Sequence, residues 1–372
     1  MTAQPAEQVV VLASPAWIDL RDHSTRLREV SLSLARRGHP VTVVDYPHFG
    51  PARSRLVQQV PSWVDGVTNL RLRIPTTGER RSPWLDAVAF AAAGRSLRRA
   101  LDEIRSGTRL VICATPASAR LVGRLGEQGA VFDAIDDMRT HPNVAAVARR
   151  VADGYDSIRR GGLPVAAVSR SLAEDLRGEW VPNAVDVARF RAPAAPPPWL
   201  DEMPRPRAVY VGTVESRSDI DLLADLAADG DVSVVVVGPV ADVAVRERLR
   251  NAGVHVAGRV APELLPAVLA GCDVGLVPHK LTALTASMDP MKVYEYLAAG
   301  LPVVSTPVLD ASRFATGVQV VPRNDFVSAV RAALRDRPAA DSLRALVAGR
   351  TWDDVADRLL SLARHRAAHQ SP

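Results

Sequence analysis

Only two lysines occur among the 46 basic side chains of this 372-residue chain, and both fall in one short region, at positions 280 and 292. Lys292 belongs to "MDPMKVYEYLAAGLPVV", residues 288–304. Asp289-Pro290 reads as a helix cap followed by proline at the first helical position. The helix should run to about Ala299, with Gly300 as its left-handed stop and "LPVVST" as the next strand. Its first turn would expose the amides beside Met291 and Lys292, and free amides plus a lysine make a diphosphate site. Glu295 lies on the same helix face, where its carboxylate can accept hydrogen bonds from two vicinal hydroxyls, as a ribose offers. The competing role for the pair is a helical i,i+3 ion pair that contributes about 0.2–0.5 kcal/mol. Lys280 sits in the polar loop "VPHKLTALTASMD", which joins a buried strand to this helix. Lysine is a flexible point charge that can follow a moving phosphate, whereas arginine prefers fixed planar forks.

Other chemistries find no support. The chain lacks G-x-G-x-x-G after its first strand, Walker A, a serine-hydrolase elbow and H-E-x-x-H. His365 and His369 stand four apart on a tail expected to be solvated, so no metal site is expected. The net charge of +5 is concentrated in residues 1–190, and the rest is close to neutral. A basic N-terminal half suits an anionic partner, such as a phosphorylated ligand or a membrane surface. Basic blocks interleaved with aromatics are missing, which argues against nucleic acid as a partner. Cys113 and Cys272 lack C-x-x-C spacing and read as core residues in a reducing compartment. The opening residues show no secretory pattern and no apolar run is long enough to span a membrane, so the expected location is cytoplasmic, with membrane association possible.

These residues need a scaffold, and the apolar runs supply one. "QVVVLAS", "VTVVDY", "NLRLRI", "RLVICAT", "AVFDAID" and "PVAAVS" read as buried strands in the first half. "RAVYVG", "VSVVVVG", "VHVAG", "DVGLVP" and "PVVST" repeat the rhythm in the second. Amphipathic helical segments separate them, which predicts parallel sheets covered by helices on both faces. The proline-rich "RAPAAPPPWLDEMPRPR" reads as a linker. The expected organisation is an N-terminal domain over 1–194, a second domain over 195–350, and a helix over 351–372 packing back across them. Ligands of such sheets bind at the carboxyl ends of the strands.

"MKVYEYLAAGLPVVST" resembles the signature of GT-B glycosyltransferases of the family-4 or "group 1" class. Within that class it is most similar to enzymes of bacterial cell-surface polysaccharide assembly, including the teichuronic-acid type. "LARRGHPVTVV", "VFDAIDDM", "VPNAVDVARF", "YVGTVESRSDIDLL" and "VHVAGRVAPELLPAVLAGCDVGLVP" match in the same order. The resemblance implies an α/β GT-B fold, two doubly wound Rossmann-like domains facing a cleft. It implies transfer of a sugar from a nucleotide diphosphate donor, with a UDP-sugar favoured, to a hydroxyl of a glycan, lipid-linked or small-molecule acceptor. That sugar is a substrate, and neither a cofactor nor a metal is implied; the resemblance points to retention of configuration. Carried over, Glu295 holds the ribose, the amides of Met291 and Lys292 contact the diphosphate beside Asp289, and Lys280 or Lys292 neutralises charge. Gly212 and Thr213 match the loop approaching the phosphates, and Gly238 matches a turn near the base.

Two departures stand out. Many such enzymes carry a second glutamate eight positions before the ribose glutamate, where this chain has Ser287. They also carry Arg and Lys after the "VG" turn, where Thr213, Arg217 and Ser218 stand. On the acceptor side, Asp136 and Asp137 end a predicted strand; one could deprotonate the acceptor in an inverting mechanism, or both could cap the following helix. His23 and Arg26, with Trp17 nearby, belong to the corresponding lip of the first domain, and His141 is a further acceptor candidate. Two alternatives stay open: a nucleotide-sugar epimerase of the same fold, and a non-catalytic accessory subunit.

Overall fold

The computed structural model describes residues 7–13, 25–49, 56–62, 64–74, 83–105, 107–141, 144–146, 148–191 and 195–368. The chain divides into two compact units, residues 1–182 with 352–372 and residues 183–351. The first contains β1 (Gln8–Ala13), β2 (Val41–Phe49), β3 (Val57–Val60), β4 (Val67–Ile74), β5 (Arg109–Cys113), β6 (Gly129–Ala134), β7 (Val165–Ala167) and β8 (Glu179–Trp180). They form one sheet in the order β3-β4-β2-β1-β5-β6-β7-β8, parallel throughout except for β3, which runs antiparallel to β4 at the edge. β1, β5 and β6 are buried along their whole length, as strands covered on both faces must be.

The second unit contains β9 (Arg207–Val211), β10 (Ser233–Val237), β11 (His255–Gly258), β12 (Val274–Val277), β13 (Val303–Ser305) and β14 (Val318–Val320). Its sheet is wholly parallel, in the order β11-β10-β9-β12-β13-β14. That is the 3-2-1-4-5-6 order of a doubly wound sheet, whose order reverses between β9 and β12. Apolar cores lie on both faces: Val209, Leu269, Tyr296 and Phe314 on one, Leu223, Val234, Leu276 and Phe326 on the other.

Two boundaries differ from the expected ones. The division falls at Pro182/Asn183 rather than at 194/195, because the residues after the crossing already bond into the second unit. Asn183 N donates to Asp289 Oδ2 at 2.8 Å, and Val185 N donates to the Arg350 carbonyl at 3.1 Å. The final helix, Trp352–Ala368, belongs to the first unit, where it packs on β5, β6 and β7 and on the helix Arg26–Arg36. A Cβ at Gly129 of β6 would stand 2.2 Å from the Ala363 carbonyl oxygen, so only glycine admits the helix this closely. Cys113 and Cys272 form no disulfide and are buried in the cores, as expected. Among the described residues no helix is long and apolar enough to cross a membrane.

Candidate functional site

In the second unit β9 and β12 pair only through Val274–Ala208 and Gly275–Val209, and then diverge. Tyr296 fills the base of that gap: its hydroxyl accepts from Val211 N at 2.7 Å and donates to the Leu276 carbonyl at 3.4 Å. A Cβ at Gly275 would lie 2.3 Å from the Tyr296 ring, so β12 carries glycine where the helix Met291–Ala299 lies against it. That helix ends as expected at Gly300, in the left-handed region at φ +82°. Its start differs from expectation. Pro290 occupies the cap position with φ −66° and ψ 117°, and no side chain caps it. Asp289 is instead buried, and its carboxylate takes Asn183 N, the Tyr294 hydroxyl at 2.7 Å and Arg313 Nη1 at 2.8 Å. An ion pair this deep needs a carboxylate committed to its partners, so Asp289 fixes the position of the helix start rather than capping it. The amides of Met291 and Lys292, in the first turn, have no acceptor within the helix.

Lys292 folds back over the turn after β9. Its Nζ lies 4.0 Å from the centroid of the Tyr210 ring, 3.4 Å from His279 Nε2, and 3.1 Å from where a Cβ at Gly212 would stand. Gly212 has φ +130°. Gly238, at φ +145°, packs backbone to backbone on it: an added Cβ would fall 2.1 Å from the Gly212 carbonyl oxygen. Thr213 presents its carbonyl to the Tyr210 hydroxyl at 3.0 Å. Burial, and next the Arg217 cation, pull the Lys292 pKa from its ordinary value down to about 7, while Glu295 and Glu215 act in the opposite direction. Glu295 is buried one turn further along the same helix.

The loop after β9 runs beside the segment after β12: Ser218 bridges His279, Asp219 N donates to the Pro278 carbonyl, and Lys280 N donates to the Arg217 carbonyl at 2.8 Å. This brings Tyr210, Arg217 and His279 to Lys292, three residues that motif spacing alone does not single out. "HK" after an apolar run is the only sequence signal for His279, and nothing in it announces burial. Lys280 itself is exposed, lining a cleft of about 430 Å³ with Asp219, Thr306 and Arg323. The two lysines therefore belong to one loop region and differ in exposure, with His279 lining that cleft and also touching Lys292. Ser287, at the place of the second glutamate, donates its hydroxyl to the Leu284 carbonyl at 2.9 Å.

The acceptor candidates lie in the first unit and fare differently. Arg26 is buried, with Nε 2.9 Å from Asp133 Oδ2, Nη2 2.9 Å from Asp133 Oδ1, and Nη1 3.0 Å from the Pro182 carbonyl. Its fork is committed to a fully buried carboxylate, so it braces the sheet rather than offering a cation to a ligand. Asp137 takes Arg139 on both oxygens, Nε on Oδ1 at 2.8 Å and Nη2 on Oδ2 at 3.0 Å, and Oδ1 also takes the Arg139 amide. Asp136 and His141 are partly exposed in the turn beside it. His23 and Trp17 lie outside the described residues.

Residues 205–336 match the family described as Glycosyl transferases group 1. That segment is similar to a group 1 glycosyltransferase domain. It contains β9 to β14 together with Gly212, Gly238, His279, Lys292 and Glu295. Among curated proteins, the Bacillus subtilis (strain 168) teichuronic acid biosynthesis glycosyltransferase TuaH is 31% identical over 108 residues. The match takes in 28% of this chain and 27% of TuaH, so it spans little more than a quarter of that relative. Solved structures match over nearly the whole chain. AviGT4, a glycosyltransferase involved in avilamycin A biosynthesis, superposes with TM-score 0.63 at 18% identity over 98% of both chains. The α,α-trehalose 6-phosphate synthase of Burkholderia multivorans gives TM-score 0.63 at 13% identity, covering 99% of this chain and 100% of its own. A trehalose-6-phosphate protein of E. coli, solved with UDP-2-fluoro glucose, gives 0.62 at 11% over 98% of each chain. The fold is GT-B.

Proposed function

We propose that this chain is a glycosyltransferase that moves a sugar from a nucleotide diphosphate donor, with UDP-sugars favoured, to a hydroxyl acceptor. One observation carries the reading: at the switch point of the second sheet, Lys292 Nζ stands over side-chain-free Gly212 at the start of a helix whose first amides are open. A diphosphate there would meet a cation and two amides together, with Glu295 one turn along for the ribose. As the sugar leaves, negative charge grows on the diphosphate, and cations and amides already aimed at it lower the barrier by several kcal/mol. Lys292, Arg217 and those amides supply this charge from the protein itself, so the reading calls for no metal ion.

Retention is the stereochemical course proposed. Inversion would need a carboxylate free to take the acceptor proton, and of the two candidates Asp137 is bound on both oxygens by Arg139. A structural neighbour among the trehalose-6-phosphate synthases is described in terms of glycosyltransfer with retention, and others as UDP-forming. The acceptor class is left wide, as a glycan, a lipid-linked sugar or a small molecule. TuaH is named for teichuronic acid biosynthesis and AviGT4 for avilamycin A biosynthesis. A cytoplasmic enzyme with a basic N-terminal half that can meet an anionic membrane fits all three.

Calorimetric titration of UDP, GDP and TDP tests the donor site, with UDP expected to bind best. Glu295→Ala should weaken UDP binding about 10- to 100-fold, the loss expected when a charge-assisted pair of hydrogen bonds is removed. Binding of none of the three nucleotides would overturn the reading, and an unchanged affinity in Glu295→Ala would remove the ribose assignment.

A further inference from the structure

His279 is 2% exposed, and its Nε2 lies 3.4 Å from Lys292 Nζ. Burial first, then Lys292 and Arg217, hold its pKa down to about 2, so the ring is neutral at any working pH. For a neutral imidazole to accept from the ammonium, Nε2 must be the unprotonated nitrogen and the ring proton must sit on Nδ1, which is buried without a hydrogen-bond partner among the described residues. The backbone that carries the ring is held on both sides by Thr306. His279 N donates to Thr306 Oγ1 at 3.1 Å, and Thr306 Oγ1 donates to the His279 carbonyl at 2.6 Å. Tyr210 meets the ring edge-on at 6.0 Å. Around the ammonium, Arg217 from the loop after β9 opposes its charge, whereas Glu215 from that loop and Glu295 from its own helix support it. The Tyr210 ring face lies beneath it.

We propose that His279 is the positioning residue for Lys292: its Nε2 accepts from the ammonium and holds it over Gly212, where the donor diphosphate arrives. What arrives there rests on the glycosyltransferase reading; the contact between the two side chains does not. A group held from one side by a buried acceptor and from below by an aromatic face keeps its remaining protons directed at the glycine turn. Lysine has three rotatable donors and loses orientation without such a hold. His279 touches Lys292 rather than substrate, so its effect on the reaction passes through that ammonium.

The chain has only two lysines, so lysine labelled with ¹³C at the ε carbon gives two NMR signals, assigned by Lys280→Arg. In the parent protein the Lys292 signal should titrate at about 7. Removing the acceptor with His279→Leu should lower that midpoint by about one unit, because a hydrogen bond to a charged group is lost. His279→Gln, whose amide oxygen can reach the place of Nε2, should restore it. Where the leucine variant does not fold, His279→Phe keeps the ring packing and removes the acceptor. UDP affinity at neutral pH should fall about tenfold in the leucine or phenylalanine variant and recover in the glutamine variant. A midpoint that stays put in the variants without an acceptor overturns the proposal, as does an equal loss of UDP affinity with glutamine. If the midpoint moves as expected but the parent binds no nucleoside diphosphate, the contact stands and the donor-site reading falls.

Discussion

Raising the pH should weaken nucleoside diphosphate binding, and Lys292 sets the amount. In the free protein its ammonium loses its proton at about pH 7. A diphosphate against Nζ would return the group toward its ordinary value near 10.4, so binding above pH 7 must take up a proton. Affinity then falls as the neutral fraction of the free protein grows. Between about pH 7.5 and about pH 9 the loss is roughly 20-fold, or about 2 kcal/mol. Starting above pH 7 leaves the terminal phosphate, which ionises near pH 6, fully charged throughout. Calorimetry in buffers of different ionisation heat reads the same linkage as about 0.8 proton taken up per UDP at about pH 7.5. Unfolding cannot mimic the loss. The folded pKa of Lys292 lies below its unfolded value, so the unfolded chain holds the extra proton. The contribution of this group to stability therefore rises between about pH 7 and about pH 10.4, opposite to affinity. Lys292→Met should bind UDP weakly with no proton uptake. A parent affinity constant within twofold over this range, with no proton taken up, would refute the placement of the diphosphate at Lys292.

Two further substitutions probe the framework. Arg26→Met leaves Asp133 buried without its partner and should cost about 3–5 kcal/mol in urea unfolding, with Asp133→Leu in the same chain recovering most of it; a loss under about 1 kcal/mol would mean the pair does not brace the first sheet. Gly238→Ala drives a Cβ into the Gly212 carbonyl at a φ of +145° and should cost at least about 2 kcal/mol while weakening UDP binding. Unchanged stability and affinity would show that the two turns do not depend on each other.

Much of the architecture is legible from the residues, because parallel strands buried on both faces appear as unbroken apolar runs such as "SVVVV". The exceptions are short or polar edge strands. β3 reads "VQQV" and is largely exposed, β8 is two residues long, and β14 is three. An edge strand lacks the two-sided burial that produces the signal. Helix limits follow local chemistry: Gly300 stops its helix as spacing predicts, because the left-handed conformation is a backbone property. Asp289 misleads for the opposite reason. Its sequence context is that of a cap, but Asn183, Tyr294 and Arg313 claim its carboxylate through contacts that no local pattern contains. Arg26 and Asp133 are 107 residues apart in the chain, and their pairing is equally invisible before the sheet forms. Helix periodicity places Lys292 and Glu295 on one helix, as observed, whereas His279 and Tyr210 reach Lys292 from two different strand ends that no local pattern joins.

The placement of lysine at 292, in a chain that otherwise relies on arginine, has a physical reason in this site. Arginine stays protonated in proteins. At this position its charge would have to be buried beside Arg217 and against His279 with no ligand present, at the full cost of desolvation and like-charge repulsion. Lysine can instead release its proton while the site is empty and regain it as an anion approaches. On the proposed reading, the site would hold a cation when a diphosphate is there to balance it and relax toward neutrality when it is not. The geometry favours the same choice. Nζ is one small atom set between the Tyr210 ring and the bare face of Gly212, where a planar guanidinium would need the space that the glycine leaves for a ligand. On this view Gly212 and Lys292 form a single device: replacing the glycine removes the approach to the cation, and replacing the lysine leaves an approach with nothing to meet.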